Sequence, residues 1–253
     1  MQDRFSRTQM LLGPDAMERL ANARVIVFGV GGVGGYALEA LARGGVGRIS
    51  LVDDDVVGLT NVNRQIVAAE STLGRPKAQV MAERIRDINP DCDVVAHQCF
   101  YLPQTADEFD LSQYDYVVDA VDTVTAKLQL ITKAKRAGTP IISCMGTANK
   151  LDPTRFLVAD IEKTSVCPLA RIIRKEARKR GLGHFKVVFS TEPAMTPDLP
   201  DDYREQLRPE SSNRSLPGSV SFVPPVAGCI LAGEVIKELS SPKMALDSQR
   251  AIR

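Results

Sequence analysis

The chain has 253 residues, of which 44% are hydrophobic and 25% are charged, and its formal net charge is +1. This is the composition of a globular protein with a sizeable core. The balanced charge neither demands nor excludes nucleic acid, because a local basic face is compatible with a neutral total. No stretch reaches the roughly 18 apolar residues that would predict a membrane span.

The cysteines indicate the redox setting. There are five, and none forms a Cys-x-x-Cys pair, so the sequence predicts no structural zinc. An odd number of scattered cysteines without a signal peptide predicts free thiols in a reducing, cytoplasmic environment.

Strand and helix patterns alternate along the chain, which predicts a Rossmann-like, mostly parallel sheet with helices on both faces. The predicted strands cover residues 24–28, 48–52, 94–97, 116–119, 140–143, 155–160 and 186–189. The predicted helices cover residues 3–21 with a break at Gly13-Pro14, then 33–43, 77–88, 124–137, 169–180 and about 226–239. Residues 191–219 are rich in Pro, Ser, Asp and Glu and are predicted to be a mobile loop.

We expect one continuous unit over residues 1–253, with two parts. Residues 1–150 carry the alternating pattern and would form the nucleotide-binding half. The regular alternation of strand and helix patterns ends after Gly146. Residues 151–253 would form a smaller carboxyl-terminal half that shapes the substrate site and the dimer.

A glycine-rich turn, GVGGVGG at residues 29–35, follows the first strand and opens a helix. Glycines let the backbone turn tightly against a phosphate, and the helix amino terminus offers free N–H groups and partial positive charge. Asp53 ends the second strand about 20 residues later, where an acid binds ribose hydroxyls in dinucleotide enzymes. These two features alone fit both NAD and ATP.

The polar residues that follow favour a triphosphate. They are Asp53, Asp54, Asp55, Asn61, Asn63, Arg64, Gln65, Lys77 and, just past the fourth strand, Asp122. Arginine and lysine neutralise phosphate charge, and a carboxylate can hold Mg²⁺. Lys77 opens a helix, where a cation opposes the helix dipole, so a nearby anion would explain its placement. The plainer alternative is that Arg64 and Lys77 are ordinary surface residues.

Four segments carry a family resemblance: GVGGVGG (29–35), LVDDDVVGLTNVNRQ (51–65), GRPK (74–77) and VVDAVD (117–122). They resemble the ThiF/MoeB group of the ubiquitin-activating-like superfamily, whose members adenylate carboxylates with ATP. The opening RFSRTQ (4–9) is also similar to the group's first motif. That similarity implies a homodimer in which Arg7 reaches the ATP bound by the partner subunit.

The resemblance also implies a role for each matching residue. The nucleotide cradle would be formed by Gly29, Gly31, Gly32 and Gly34. The ribose would be bound by Asp53, and Mg²⁺ by Asp122. The phosphates would be held by Asn61, Arg64 and Lys77, with Asp55 and Gln65 in support. Catalysis would rest on Arg7, Arg64, Lys77 and Asp122, through positioning and charge neutralisation.

The carboxyl-terminal half indicates which members of the ThiF/MoeB group the chain resembles. Typical sulfur-carrier activators of the group carry two Cys-x-x-Cys pairs for zinc, which this chain lacks. Segments 143–164, 171–180, 186–193 and 219–228 resemble tRNA threonylcarbamoyladenosine dehydratases. These enzymes activate the threonyl carboxylate of the nucleoside as an acyl adenylate, and an internal nucleophile then closes a ring with net loss of water. The resemblance leaves open a monovalent cation and a sulfur-relay protein partner.

A basic helix in this half is the candidate tRNA surface. Its charged residues are Arg171, Arg174, Lys175, Arg178 and Lys179. At helical spacing they could meet tRNA phosphates, and a solvated face of charge pairs is the alternative.

Three other functions remain open from the sequence: an activator of a ubiquitin-like sulfur carrier, an NAD-dependent oxidoreductase and a non-catalytic scaffold. The missing zinc cysteines count against the first. Arg64, Lys77 and the lack of a catalytic histidine count against the second, and the intact Arg64 and Asp122 against the third. Ring closure within one substrate needs no catalytic cysteine. We therefore expect Cys144 to be a packing residue and expect no catalytic role for Cys167.

Overall fold

The computed structural model describes residues 3–102, 104–198 and 217–241. Its strands are β1 (Arg24–Phe28), β2 (Arg48–Val52), β3 (Asp93–His97), β4 (Tyr116–Asp119), β5 (Ile141–Cys144), β6 (Phe156–Asp160) and β7 (Lys186–Ser190). Within the described ranges they form one sheet in the order β3-β2-β1-β4-β5-β7-β6. All neighbours are parallel except β6, which is antiparallel to β7. The predicted mostly parallel Rossmann-like sheet is confirmed.

The helices are α1 (Ser6–Leu12), α2 (Pro14–Asn22), α3 (Gly34–Arg43), α4 (Lys77–Ile88), α5 (Val124–Ala137), α6 (Pro168–Lys179) and α7 (Val223–Ser240). The predicted break at Gly13 separates α1 from α2. Helix α7 begins earlier than expected, because Pro224 and Pro225 lie in its first turn, where the missing N–H groups need no partner. No helix in the described part of the chain is long and apolar enough to cross a membrane. Most of the predicted loop 191–219, residues 199–216, lies outside the described residues.

The sheet is buried on both faces, which explains the continuous apolar run of its central strand. Val25 and Val27 of β1 point to one face, and Ile26 and Phe28 to the other, all without solvent exposure. Apolar residues of α3, α4 and α7 cover the first face. Apolar residues of α5 and α6 cover the second.

The final helix joins the core of the first half. Helix α7 packs against α3, and a Cβ at Gly228 would lie 2.2 Å from the Val33 carbonyl oxygen. Only glycine permits this approach between the two helices. Residues of both halves of the chain therefore share one hydrophobic core.

The strand order places a crevice at one edge of the sheet. Strand β1 lies between β2 and β4, with Phe28 beside both Val52 and Asp119 in the register. On one side of β1 the strands follow in the order β2 and β3, and on the other side in the order β4 and β5. The loops after β1 and β4 therefore lead to opposite faces of the sheet. Open α/β sheets bind ligands at such a point, outside the carboxyl ends of the strands.

Candidate active site

A cleft of about 580 Å³ lies at this carboxyl edge. Loops that follow β1, β2, β3, β4 and β5 line it, together with residues from the first turns of α4, α6 and α7. The volume is that of a small-molecule site. Ten of the predicted nucleotide-binding residues line the cleft: Gly29, Gly31, Gly32, Asp53, Asp55, Asn61, Arg64, Gln65, Lys77 and Asp122.

The glycine-rich turn forms the floor beside β1. Gly29 has φ of +92°, and a Cβ there would lie 2.8 Å from the Ala120 carbonyl oxygen. Gly31 and Gly32 line the cleft, and their N–H groups have no acceptor among the described residues. They precede the amino terminus of α3, so the turn offers free donors and partial positive charge to an anion.

Asp53 fastens the turn to the end of β2. Its Oδ2 accepts a hydrogen bond from the Val30 N–H at 2.6 Å, and its Oδ1 accepts one from the Asp55 N–H at 2.9 Å. Burial raises the pKa of Asp53, and these hydrogen bonds and the charge of Lys77 oppose that rise. The carboxylate thus has a structural role in the turn in addition to the ribose contact predicted for it.

Lys77 is the buried cation of the cleft. Its side chain is only 5% exposed, and its Nζ lies 2.7 Å from Asp55 Oδ2, whose own side chain is 63% exposed. A buried ammonium is costly unless it is paired. The single exposed carboxylate beside it leaves Lys77 able to interact with a second anion in the cleft.

Arg64 reaches the cleft from the connection between β2 and α4. Its Nη1 donates to the Thr60 carbonyl and to Asn63 Oδ1, each at 2.9 Å. Its Nε and Nη2 have no acceptor among the residues the structure describes. Three of the five N–H donors of the guanidinium are therefore free for a bidentate contact with phosphate oxygens.

Two uncharged polar residues complete this wall. Asn61 Oδ1 accepts from the Gly58 N–H at 3.0 Å, which fixes the start of the loop. Gln65 is 7% exposed, and its Oε1 is buried with no partner in the described structure. An unpaired buried amide oxygen is unfavourable, and a bound ligand with a donor would satisfy it.

Asp122 stands at the far side of the cleft, after β4. It is exposed, and it accepts a hydrogen bond from the Thr123 hydroxyl at 3.3 Å. Asp53, Asp54 and Asp55 also gather carboxylate oxygens within 4.8 Å of one another. In that group Asp53 accepts two backbone hydrogen bonds and Asp55 pairs with Lys77, whereas Asp122 has only the Thr123 hydroxyl as a partner among the described residues.

A buried ionic cluster supports the loop that carries Asp122. Lys127 of α5 lies 3.0 Å from both oxygens of Asp119, and all its atoms are shielded from solvent. Ser143 of β5 donates to the same carboxylate at 2.5 Å. Asp119 also accepts from the Val121 N–H at 3.2 Å, so the cluster is bonded directly to the loop.

Some lining residues have no sequence signal in the predicted motifs. Tyr101 follows β3, is 4% exposed, and packs edge-on against Phe28 with ring centroids 4.7 Å apart. Its hydroxyl is buried without a partner in the described structure. Its position four residues beyond β3 at the ligand-binding edge was the only available hint.

Cys144 ends β5 and also lines the cleft. Complete burial raises the pKa of its thiol to about 12. At neutral pH the group is therefore a thiol and a poor nucleophile, as expected for a packing residue.

Two predicted residues lie outside the lining. A Cβ at Gly34 would be 1.8 Å from the Gly29 carbonyl oxygen, so Gly34 allows α3 to approach the strand instead of facing the cleft. Arg7 is exposed on α1, where the neighbouring Arg4 donates to the Ile88 carbonyl at 2.7 Å. Ile88 ends α4 before β3 begins, so α1 lies near the opposite edge of the sheet.

Helix α6 uses much of its charge locally. Arg174 donates to Thr164, at 2.6 Å to the carbonyl and 2.5 Å to the hydroxyl. Arg178 pairs with Glu162, and Lys179 pairs with Glu176 at 2.8 Å. Arg171 and Lys175 are exposed, and no described residue forms a hydrogen bond or ion pair with their side chains. Among the predicted tRNA contacts, these two side chains have no partner in the part of the chain that the structure describes.

The fold and the cleft are those of a nucleotide-binding adenylating enzyme. The model of the ThiF family matches residues 5–251, and the chain belongs to the ThiF family. It is 46% identical over 248 residues to the tRNA threonylcarbamoyladenosine dehydratase of Bacillus subtilis, covering 94% of this chain and 95% of that protein. The Haemophilus influenzae protein of the same name is 34% identical and covers 96% and 95% of the two chains.

A solved structure agrees with these relatives. The E. coli tRNA N6-threonylcarbamoyladenosine dehydratase TcdA in complex with ATP superposes with a TM-score of 0.83 at 36% identity. The match covers 98% of this chain and 96% of that one. The similarity therefore includes both halves of the chain.

Proposed function

We propose that this protein catalyses the ATP-dependent, cyclising dehydration of threonylcarbamoyladenosine in tRNA. One observation carries the chemistry: Lys77, the free side of Arg64 and Asp122 converge on a cleft whose floor is the glycine-rich turn. That arrangement suits a carboxylate attacking an anionic phosphate. The identity of the carboxylate is supported by the relatives and by their coverage of nearly the whole chain.

The residues that line the cleft support ATP as its ligand. The free N–H groups of Gly31 and Gly32 would meet phosphate oxygens, and Asp53, at the end of β2, would bind the ribose. The unpaired Tyr101 hydroxyl and Gln65 Oε1 are polar atoms without partners in the described structure. A nucleotide in this cleft would offer such atoms hydrogen-bonding partners.

Adenylation would proceed by positioning and charge neutralisation. A threonyl carboxylate oxygen attacks the α-phosphorus, an acyl adenylate forms and pyrophosphate leaves. Lys77 and Arg64 neutralise the charge on the phosphate oxygens and let two anions approach each other. Asp55 holds Lys77 in place through their 2.7 Å contact.

Asp122 fits Mg²⁺, because it is an exposed carboxylate at the cleft and such ions commonly take one or two carboxylates plus phosphate oxygens. The ion would shield phosphate charge when bound. The buried Asp119–Lys127 pair would keep the Asp122 loop in place through the Val121 N–H.

Ring closure would follow without an enzyme thiol. A nucleophilic atom of the ureido group in the same side chain attacks the acyl carbonyl, AMP leaves and one proton is lost. The two reacting groups belong to one molecule, so holding them together lowers the entropic barrier. The protonated thiol of Cys144 agrees with a route that has no thioester.

A homodimer would complete the site. Arg7 does not line the cleft of its own chain, and its helix α1 has no buried residue. Met10 and Leu11 of that helix are 84% and 87% exposed. Covering them with a second subunit would bury apolar surface and bring Arg7 to the partner's ATP.

tRNA would be bound partly by the unpaired Arg171 and Lys175. Helix α6 begins at the cleft, where Leu169 is a lining residue, so these charges lie on the helix that leads away from the site. The free thiols fit a reducing, cytoplasmic setting.

The deciding experiment incubates the purified protein with ATP, Mg²⁺ and tRNA that carries threonylcarbamoyladenosine, followed by nucleoside mass spectrometry. We expect a nucleoside lighter by one water that forms only with ATP and disappears in Asp122→Ala. An unchanged nucleoside, together with ATP–pyrophosphate exchange on a ubiquitin-like protein, would assign the chain to the sulfur-carrier activators instead. ATP turnover that is unchanged in Asp122→Ala would refute the role of that residue.

A further inference from the structure

Residues 217–219, which we call the strap, run along the cleft and are hydrogen bonded to two of its walls. Pro217 and Ser219 line the cleft. The chain then enters α7, where Pro224 packs beside Gly32 of the glycine-rich turn. The strap is therefore continuous with the helix that supports the phosphate-binding turn.

Asn149, after β5, holds the strap on one side. Its Oδ1 accepts from the Gly218 N–H at 2.6 Å, and its N–H donates to the Gly218 carbonyl at 2.8 Å. Its carbonyl accepts from the Met195 N–H at 2.8 Å. The backbone of Asn149 has φ of +58°, a region that asparagine tolerates better than most residues. Two of these three hydrogen bonds hold the strap, and the third joins Asn149 to Met195.

Asn63 holds the strap on the nucleotide side, and it also contacts Arg64. Its Nδ2 donates to the Ser219 carbonyl at 2.9 Å. Its Oδ1 accepts from Arg64 Nη1 at 2.9 Å. One amide group thus joins the strap to the guanidinium that faces the phosphates.

We infer that Asn63 is a positioning residue, which orients the free Nε and Nη2 of Arg64 by tying Nη1 to the strap. The inference rests on the proposed adenylation chemistry, because the orientation of Arg64 matters most where charge develops at the α-phosphorus. Gly31, Asp53 and Lys77 would bind ATP, and none of them is hydrogen bonded to Asn63. Loss of Asn63 therefore slows adenylate formation more than it weakens ATP binding.

The test measures pyrophosphate release by the full-length enzyme with ATP, Mg²⁺ and saturating carboxylate substrate. Asn63→Ala is expected to lower kcat by about tenfold and to change KM for ATP by less than about twofold. In an Arg64→Lys background, where no Nη1 is present, Asn63→Ala should cause no further loss. Asn149→Ala should lower kcat in the same direction but less.

The control is Asn22→Ala, which removes an amide of the same type far from the cleft, where it donates to the Glu18 carbonyl. It should leave kcat, KM and the thermal midpoint unchanged. A kcat for Asn63→Ala within about twofold of wild type, or an equal loss in the Arg64→Lys background, would overturn the inference.

Failure of the proposed function gives a different result. If a ubiquitin-like carrier supports pyrophosphate release and the tRNA does not, the substrate assignment fails. The role of Asn63 is then tested with that carrier as the substrate, by comparing the change in kcat with the change in KM for ATP in Asn63→Ala. If neither substrate supports pyrophosphate release, both proposals are refuted.

Discussion

Two regions of the molecule are rich in lysine and arginine, and they use these residues differently. At the carboxyl edge of the sheet, the side chains of Lys77 and Lys127 are 5% and 0% exposed, and each contacts a carboxylate. On α6, Arg178 and Lys179 are 64% and 59% exposed and pair with nearby glutamates. A buried cation is costly and persists only where a partner or ligand holds it, whereas exposed pairs contribute little. Burial therefore separates the two sets of basic residues, and we expect the buried lysines to have the larger effects when they are replaced.

The largest effect is expected for Lys127→Met. It leaves Asp119 buried without its cation, and the free energy of unfolding should fall by about 3–5 kcal/mol, measured by urea denaturation. Lys133→Met on the same helix is the control, because Lys133 is 19% exposed and its partner Asp107 is 96% exposed. Equal losses in the two variants would remove the distinction between buried and exposed charge.

Lys77→Ala should act on catalysis instead of on stability. We expect kcat/KM for ATP to fall by about 10²–10³-fold, because a preorganised cation at the phosphates is lost. Stability should change little, since a lysine in the first turn of a helix opposes the helix dipole. Arg75→Ala, two residues earlier, is the control: Arg75 pairs with Glu83 and does not line the cleft. A full loss of activity in that control as well would indicate damage to the whole loop.

The smallest effect is expected for substitutions on α6. Two matched double variants compare its unpaired basic residues with its paired ones. Arg171→Ala/Lys175→Ala should reduce the salt dependence of tRNA binding by a slope of about 2, close to one unit for each phosphate contact. Arg178→Ala/Lys179→Ala should leave the slope unchanged, because those charges already have partners in the chain. Filter binding over a range of salt concentrations measures both. The reverse ranking would assign tRNA contact to the paired face.

Much of the fold could be predicted from the sequence, because its determinants are local. The bounds of β1, β2, β4, α4 and α5 agree with those predicted from their apolar patterns. Gly138 has φ of +71° at the end of α5, as a helix-terminating glycine should. The antiparallel direction of β6 at the edge of the sheet could not be predicted from the sequence. It depends on pairing between β6 and β7, which are far apart in the sequence.

The candidate site also contains residues that the sequence predicts and residues that it does not. The motif residues lie in short loops directly after strands, so their convergence follows once the strands are parallel. The strap contacts of Asn63 and Asn149 join positions separated by 156 and 69 residues, and no local pattern indicates them. The pair between Arg178 and Glu162 has no local pattern either, because Glu162 lies in a preceding turn whose position depends on tertiary packing.

The position of α7 has a consequence for the synthesis of the protein. This helix covers the face of the sheet formed by the first strands, and its Val223, Leu231 and Val235 are fully buried there. Domains commonly fold while the ribosome is still extending the chain, beginning with the part made first. Here the nucleotide-binding half has an uncovered apolar face until residues 223–240 have emerged. The apolar residues of that face therefore stay accessible to other apolar surfaces until α7 packs against α3.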